Sequence, residues 1–187
     1  MHDQTETLCV LGLDLGGTNI KAAVVTEPGT VLEQLQIETP AGREVSEVVD
    51  ELVGISVRLM RSHRNITAVG LGAPGLVDEH RRIVRLSPNF PTWSNVPIAR
   101  MLEEKIHLPV ALDNDANCFG LAEYLWGAGK GFRFMLALTV GTGIGGAVIL
   151  DGRIYRGNSG AAAELGHVSV DLWGPKCRCG NRGCVER

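Results

Sequence analysis

The sequence predicts an α/β fold built as two similarly organised lobes, one over residues 1–112 and the other over 113–187. Three observations point there. Apolar runs of strand length alternate with segments of helical spacing. Glycine-rich turns join strand pairs into hairpins. A strand–glycine turn–strand unit near residues 8–26 returns near residues 134–150, a coarse duplication without any short fixed repeat.

The elements follow in order. Residues 8–14 form an apolar run suited to a buried strand. Gly16-Gly17 is expected to supply positive backbone angles for a tight turn, and residues 20–26 return as a second strand. Residues 31–39 follow the Pro28-Gly29 turn as a third. Over residues 45–60, Val45, Val48, Val49, Leu52, Ile55 and Leu59 make one apolar helical face. Residues 66–71 read as a buried strand ending at Gly72-Ala73-Pro74-Gly75. Pro88, Pro91 and Pro97 make residues 87–96 irregular, and Pro97 then suits the start of a helix over 98–106. A short strand at 110–112 leads into a helix over 114–127. Residues 134–140 are a strand, residues 141–155 a second hairpin, and residues 157–165 small residues with an alanine-rich helical turn.

Bulk properties exclude several function classes. Of the 187 residues, 44% are apolar and 21% charged, which is ordinary globular composition. A net charge of −3 with no basic block gives no electrostatic case for nucleic acid. The N-terminus lacks a basic start and a long apolar stretch, so no signal peptide is expected and the protein reads as cytoplasmic. Residues 134–150 carry no charge, but Gly141, Gly143, Gly145 and Gly146 make strand–loop–strand a better reading than a membrane span.

Four stretches carry candidate chemistry. Asp14 ends a buried strand beside Gly16, Gly17 and Thr18. Read blandly this is a hairpin turn; read functionally, its amides and hydroxyl face phosphate while Asp14 lies near Mg²⁺. Gly141-Thr142-Gly143-Ile144-Gly145-Gly146 is a second such loop. No helix follows it, which disfavours nicotinamide binding, and no Gly-Lys-Ser/Thr follows, which excludes a P-loop. Asp113-Asn114-Asp115 sits where a strand meets a helix. Either Asn114 or Asp115 caps that helix, or a carboxylate there accepts the proton of an attacking hydroxyl. Finally, His167, Cys177, Cys179 and Cys184 match a closed, four-coordinate structural zinc site, with Gly180 and Gly183 turning the loop. Cys9 and Cys118 have apolar neighbours and read as core.

Together these motifs resemble the ROK family (repressor, open reading frame, kinase), in order from Leu11 to Glu186. The resemblance rests on LGLDLGGTNIKAAVV, GLGAPGLVD, LDNDANC, TVGTGIGGAVILDGRIYRG, AAELGH and CRCGNRGCVE, with SPNFPTW most similar to the family's glucokinases. It implies an actin-like, hexokinase-like (ribonuclease H-like) two-lobed fold with an incomplete second lobe. It also implies ATP-dependent phosphorylation of a hexose, glucose first, with a homodimer as the intact protein. Asp115 becomes the catalytic base. Asn89, Asn114, Asp115, Glu164, His167 and Glu186 become sugar contacts. Gly16, Gly17, Thr18, Thr142 and Gly143 line the ATP phosphates, with Asp14 near magnesium, and His167, Cys177, Cys179 and Cys184 hold zinc.

Two departures from the family pattern stand out. Ala147 replaces a third glycine, a change expected to be tolerated, and relatives continue for roughly another hundred residues beyond position 187. A sugar-responsive repressor would need a DNA-binding module ahead of the first strand, for which about seven residues are too few. An N-acetylmannosamine or fructose kinase, and an inactive sugar-binding fragment, remain as alternatives.

Overall fold

The computed structural model describes residues 8–141 and 143–187; the start of the N-terminal stretch read as lacking a signal peptide, and the phosphate role read for Thr142, fall outside them. The chain divides into two compact units, one running to Asp115 and the other from Ala116 to Arg187.

In the first unit, β1 (Cys9–Leu15), β2 (Asn19–Thr26) and β3 (Val31–Glu38) form an antiparallel meander. α1 (Val45–Ser62) follows, and β4 (Ile66–Ala73) then pairs with β1 in parallel. A small antiparallel sheet comes next, made of β5 (Leu76–Val77), β6 (Val84–Leu86) and β7 (Ser94–Val96). α2 (Ile98–Ile106) and β8 (Val110–Asn114) complete the unit, giving a main sheet of order β3-β2-β1-β4-β8.

Burial explains these assignments. Alternate β1 residues Cys9, Leu11, Leu13 and Leu15 are buried, as the period of two requires of a strand covered on one face. α1 buries Val48, Val49, Leu52, Ile55 and Leu59, the stripe its spacing predicts. α2 follows Pro97 and stops where His107 turns left-handed at φ 55°. The prolines between positions 88 and 97 do not keep the whole stretch irregular. Residues 94–96 pair with β6, because Pro91 and Pro97 lie outside that three-residue strand.

In the second unit, α3 (Asp115–Leu125) leads to β9 (Phe134–Val140), β10 (Ile144–Leu150) and β11 (Arg153–Ile154), an antiparallel sheet of order β11-β10-β9. Gly120 of α3 lies so close to Ala147 of β10 that a Cβ on it would sit 2.5 Å from the Ala147 methyl. Ala147 is itself only 1% exposed, so its methyl fills the helix–sheet contact. The alanine-rich stretch does not become helical. Gly157 and Gly160 take positive φ, as does Ala163 at 68°, and a single 3₁₀ turn forms later, at Leu165–His167. Among the described residues no helix is long and apolar enough to cross a membrane.

Candidate functional site

The C-terminal ends of parallel strands carry the first unit's polar residues. Asp14 of β1 stands in register with Gly72 of β4, and Gly72 with Asp113 of β8. The next position on β8, Asn114, donates from its side chain to the Gly75 carbonyl at 3.1 Å. Asp115 follows directly and is exposed, as is Asp14. Strand ends of this kind are where parallel sheets open toward ligands, since the helices that cover the faces leave the ends free.

The β1–β2 turn uses its glycines differently from expectation. Neither Gly16 nor Gly17 takes a positive φ; close approach excludes a side chain instead. A Cβ on Gly16 would lie 2.7 Å from the Asn19 carbonyl oxygen, and one on Gly17 would lie 2.4 Å from Asn89 Nδ2. Asn89 is thus packed onto the turn, which brings a predicted sugar contact beside a predicted phosphate loop. Every carbonyl of the turn has a donor. Gly16 accepts from Thr39 Oγ1 at 2.7 Å, Gly17 from Arg43 at 3.0 Å, and Thr18 from the Thr39 amide at 2.8 Å. In a trans peptide the N–H points opposite its carbonyl, so the Gly17 and Thr18 amides are turned away from Thr39 and Arg43.

The loop bearing Asn89 is anchored by aromatic packing. Phe90 and Trp93 are fully buried and stack with ring centroids 4.4 Å apart. The β5–β6 turn is held by Asp78, which accepts backbone N–H bonds from Arg82 and Ile83 at 2.7 Å and from His80 at 3.3 Å. Burial raises its pKa, but the backbone donors outweigh it and hold the carboxyl below the ordinary range. Arg82 in turn forms a two-pronged pair with Glu103 of α2 and donates to the Val110 carbonyl at 2.9 Å. The Val110 amide donates back to Glu103 at 2.9 Å, so this clamp fixes the start of the strand that ends in Asp113-Asn114.

The second unit holds the remaining predicted residues. His167, Cys177, Cys179 and Cys184 bring one ligand atom each within 4.8 Å of one another. Cys177 Sγ lies 3.6 Å from His167 Nδ1, and Cys179 Sγ lies 3.6 Å from Cys184 Sγ. Tetrahedral zinc with Zn–S bonds near 2.3 Å needs sulfurs about 3.8 Å apart, so the donor set and its spacing fit that ion. Without a cation, burial pushes the Cys184 thiol up to about 12, with the neighbouring thiols adding to it. A bound divalent cation would reverse that by deprotonating its ligands. Gly183 must be glycine, since its φ is 58° and a Cβ would lie 1.8 Å from the Asp171 carbonyl oxygen.

Glu186 joins this cluster to the second glycine turn. Its Oε1 accepts from the Cys177 thiol at 3.2 Å, and its Oε2 lies 2.9 Å from where a Gly143 Cβ would stand. The thiol bond, with the Ile144 amide, holds its carboxyl below the ordinary range despite partial burial. Glu164 is exposed at the head of the 3₁₀ turn that carries His167. The motifs alone gave no role to Thr39, Arg43, Asp78, Arg82 and Glu103. Asp78 closes the GLGAPGLVD stretch, and the other four lie in no recognisable pattern.

Comparison with known proteins agrees with this architecture. A glucokinase from Thermotoga maritima is 41% identical over 179 residues, covering 96% of this chain and 56% of that protein. An N-acetylmannosamine kinase from Vibrio cholerae is 37% identical, covering 94% of this chain and 60% of that protein. Among solved structures, a ROK family glucokinase from Streptomyces griseus, in complex with glucose and AMPPNP, superposes with a TM-score of 0.86 at 38% identity. It covers 95% of this chain and 56% of its own. The chain therefore has the mixed α/β fold of those kinases and spans little more than half their length. Residues 10–187 match the sequence model of the ROK family, and the chain belongs to that family.

Proposed function

We propose that the protein carrying this chain transfers the γ-phosphoryl group of ATP to the 6-hydroxyl of a hexose, glucose in the first place. The observation that carries this reading is the turn of Gly16, Gly17 and Thr18, whose carbonyls are all tied back by Thr39 and Arg43. Amides turned the other way are what a phosphate requires.

Each residue then has a task. The Gly17 and Thr18 amides, with Gly143 and Thr142 in the second unit, bind phosphate oxygens. Asn89, Asn114, Glu164, His167 and Glu186 accept and donate hydrogen bonds to sugar hydroxyls. Asp115, an exposed carboxylate where β8 meets α3, takes the proton of the attacking hydroxyl. Asp14 offers the carboxylate oxygen that Mg²⁺ prefers, and the ion, bound with ATP, neutralises charge that develops on the phosphates. His167, Cys177, Cys179 and Cys184 would hold zinc, which fixes the loop bearing Glu186 and takes no part in the transfer. Positioning supplies most of the rate in such transfers, because the transition state asks for little covalent help.

The test is ADP release by the intact gene product with glucose, N-acetylmannosamine or fructose, beside an Asp115→Ala variant. Glucose-dependent turnover that falls by roughly 10²–10⁴ in the variant supports both the class and the base. Turnover with N-acetylmannosamine alone, the substrate named for the Vibrio cholerae relative, would keep the mechanism and change the sugar. No turnover with any hexose, in a folded protein, would leave a sugar-binding protein in place of a kinase.

A further inference from the structure

Arg43 lies in the polar turn between β3 and α1, and its backbone takes the left-handed region at φ 56°. A non-glycine residue there is strained and persists only where its surroundings over-determine it. Here they do. The Arg43 amide donates to Pro40 at 3.1 Å, and its carbonyl accepts from Trp93 Nε1 at 3.0 Å. Trp93 is 1% exposed and stacked on Phe90, so the residue is pinned to a rigid part of the core.

That strained backbone aims the guanidinium. One nitrogen, Nη1, donates to the Asn89 carbonyl at 2.6 Å; the other, Nη2, donates to the Gly17 carbonyl at 3.0 Å. The group also lies 6.0 Å from the centre of the Phe90 ring. A single planar fork therefore joins the glycine turn to the loop that bears Asn89. Holding the Gly17 carbonyl fixes the peptide whose N–H belongs to Thr18, and turns that amide to the opposite side. The Asn89 side chain already rests on Gly17, so a shift of either segment displaces the other.

We propose that Arg43 is a positioning residue that seats both substrates at once: through Gly17 it aims the Thr18 amide at phosphate, and through the Asn89 carbonyl it holds the Asn89 side chain for sugar. This rests on the kinase reading above. Lysine cannot replace it, because a single ammonium on a flexible stem does not span two carbonyls in fixed geometry.

The experiment has two arms, both on the intact gene product, with Arg43→Lys and Arg43→Met compared to the wild type. The first reads amide hydrogen exchange by mass spectrometry in peptides covering residues 15–20 and 86–92, with α1 as internal reference. Both peptides are expected to exchange at least tenfold faster in each variant, with α1 unchanged. The second reads steady-state kinetics: KM for ATP and KM for the hexose rise together, each about tenfold, and added guanidinium ion restores part of the loss to Arg43→Met. A residue that only stabilised the fold would lower the melting temperature and move neither KM. Faster exchange in one peptide alone, or unchanged KM values in variants that still turn over, overturns the proposal. Wild-type protein that turns over no hexose defeats the kinase reading and the positioning role with it. Unaltered variants of an active wild type defeat only the role of Arg43.

Discussion

The two strand–glycine turn–strand units are built alike and supported differently. β1 is paired on both edges, by β2 and by β4, and its inward residues join a continuous core that includes Leu11, Leu52, Phe90, Trp93 and Leu102. β9 is paired with β10 alone among the described residues, and Phe134, Leu136, Leu138 and Val140 on one of its faces are all more than half exposed. Among the described residues the buried apolar side chains of the second unit are few: Ala116, Ala137, Ala147, Ile149 and Ile154, with Cys177 and Cys184. This chain spans little more than half the length of its relatives, and within it the Cys₃His cluster is suited to order the loop over residues 167–187.

Removing the metal should produce the largest effect and confine it to one unit. Zinc in comparable small sites contributes on the order of 10 kcal/mol, most of it as folding free energy. The expected outcome is about one equivalent of zinc per chain, lost in Cys184→Ser or on treatment with a chelator. Limited proteolysis should then cut between residues 168 and 187 while the segment up to Asp115 stays protected. Equal loss of protection in both units would break the comparison. Unchanged proteolysis of the metal-free protein would show that the cluster is not what orders the second unit.

A matched pair of leucines sharpens the same contrast at smaller scale. Leu13 of β1 is 3% exposed and Leu136 of β9 is 69% exposed. Leu13→Ala should cost roughly 2–5 kcal/mol, through lost burial and the cavity left behind. Leu136→Ala should stay within about 0.5 kcal/mol, the range of surface substitutions. Urea unfolding of the two variants of this chain measures both. A large cost at Leu136 would mean that the exposed face of β9 is covered in solution.

The same contrast explains what was legible in the sequence. α1 was readable because one apolar stripe meets one core, and β1 because alternate residues are buried. The gathering of His167, Cys177, Cys179 and Cys184 is legible because cysteine is scarce and three of the five lie within eight residues. Gly16 and Gly17 form the turn that the sequence predicts, but not through positive backbone angles. Their requirement comes from Asn19 and Asn89, and the contact with a residue so distant in sequence leaves no local signature. β5 and β6 were missed because strands of two and three residues carry no period. The clamp of Arg82 and Glu103 was missed because charged residues in a loop and on a helix give no sign of meeting.

Asp78 gives the first unit a polar staple of its own, and tests whether hydrogen bonds do there what metal is expected to do in the second. Its carboxylate is 5% exposed and accepts from three backbone amides in the turn between β5 and β6. The folded-state pKa is lowered, so the charged form is the one that folding favours. Its stabilisation is therefore fully present above the unfolded aspartate pKa of about 3.9 and is lost as pH falls through the lower folded value. Asp78→Ala should cost about 1.5–3 kcal/mol at pH 7, the range for hydrogen bonds to a charged group. Asp78→Asn should cost less, because an amide oxygen still accepts from the turn, and it should flatten the loss of stability below about pH 4. Urea titrations at pH 7 and at steps below pH 4 separate the two effects. An acid limb identical in wild type and Asp78→Asn would place the titrating group elsewhere, and the turn would then owe its shape to packing alone.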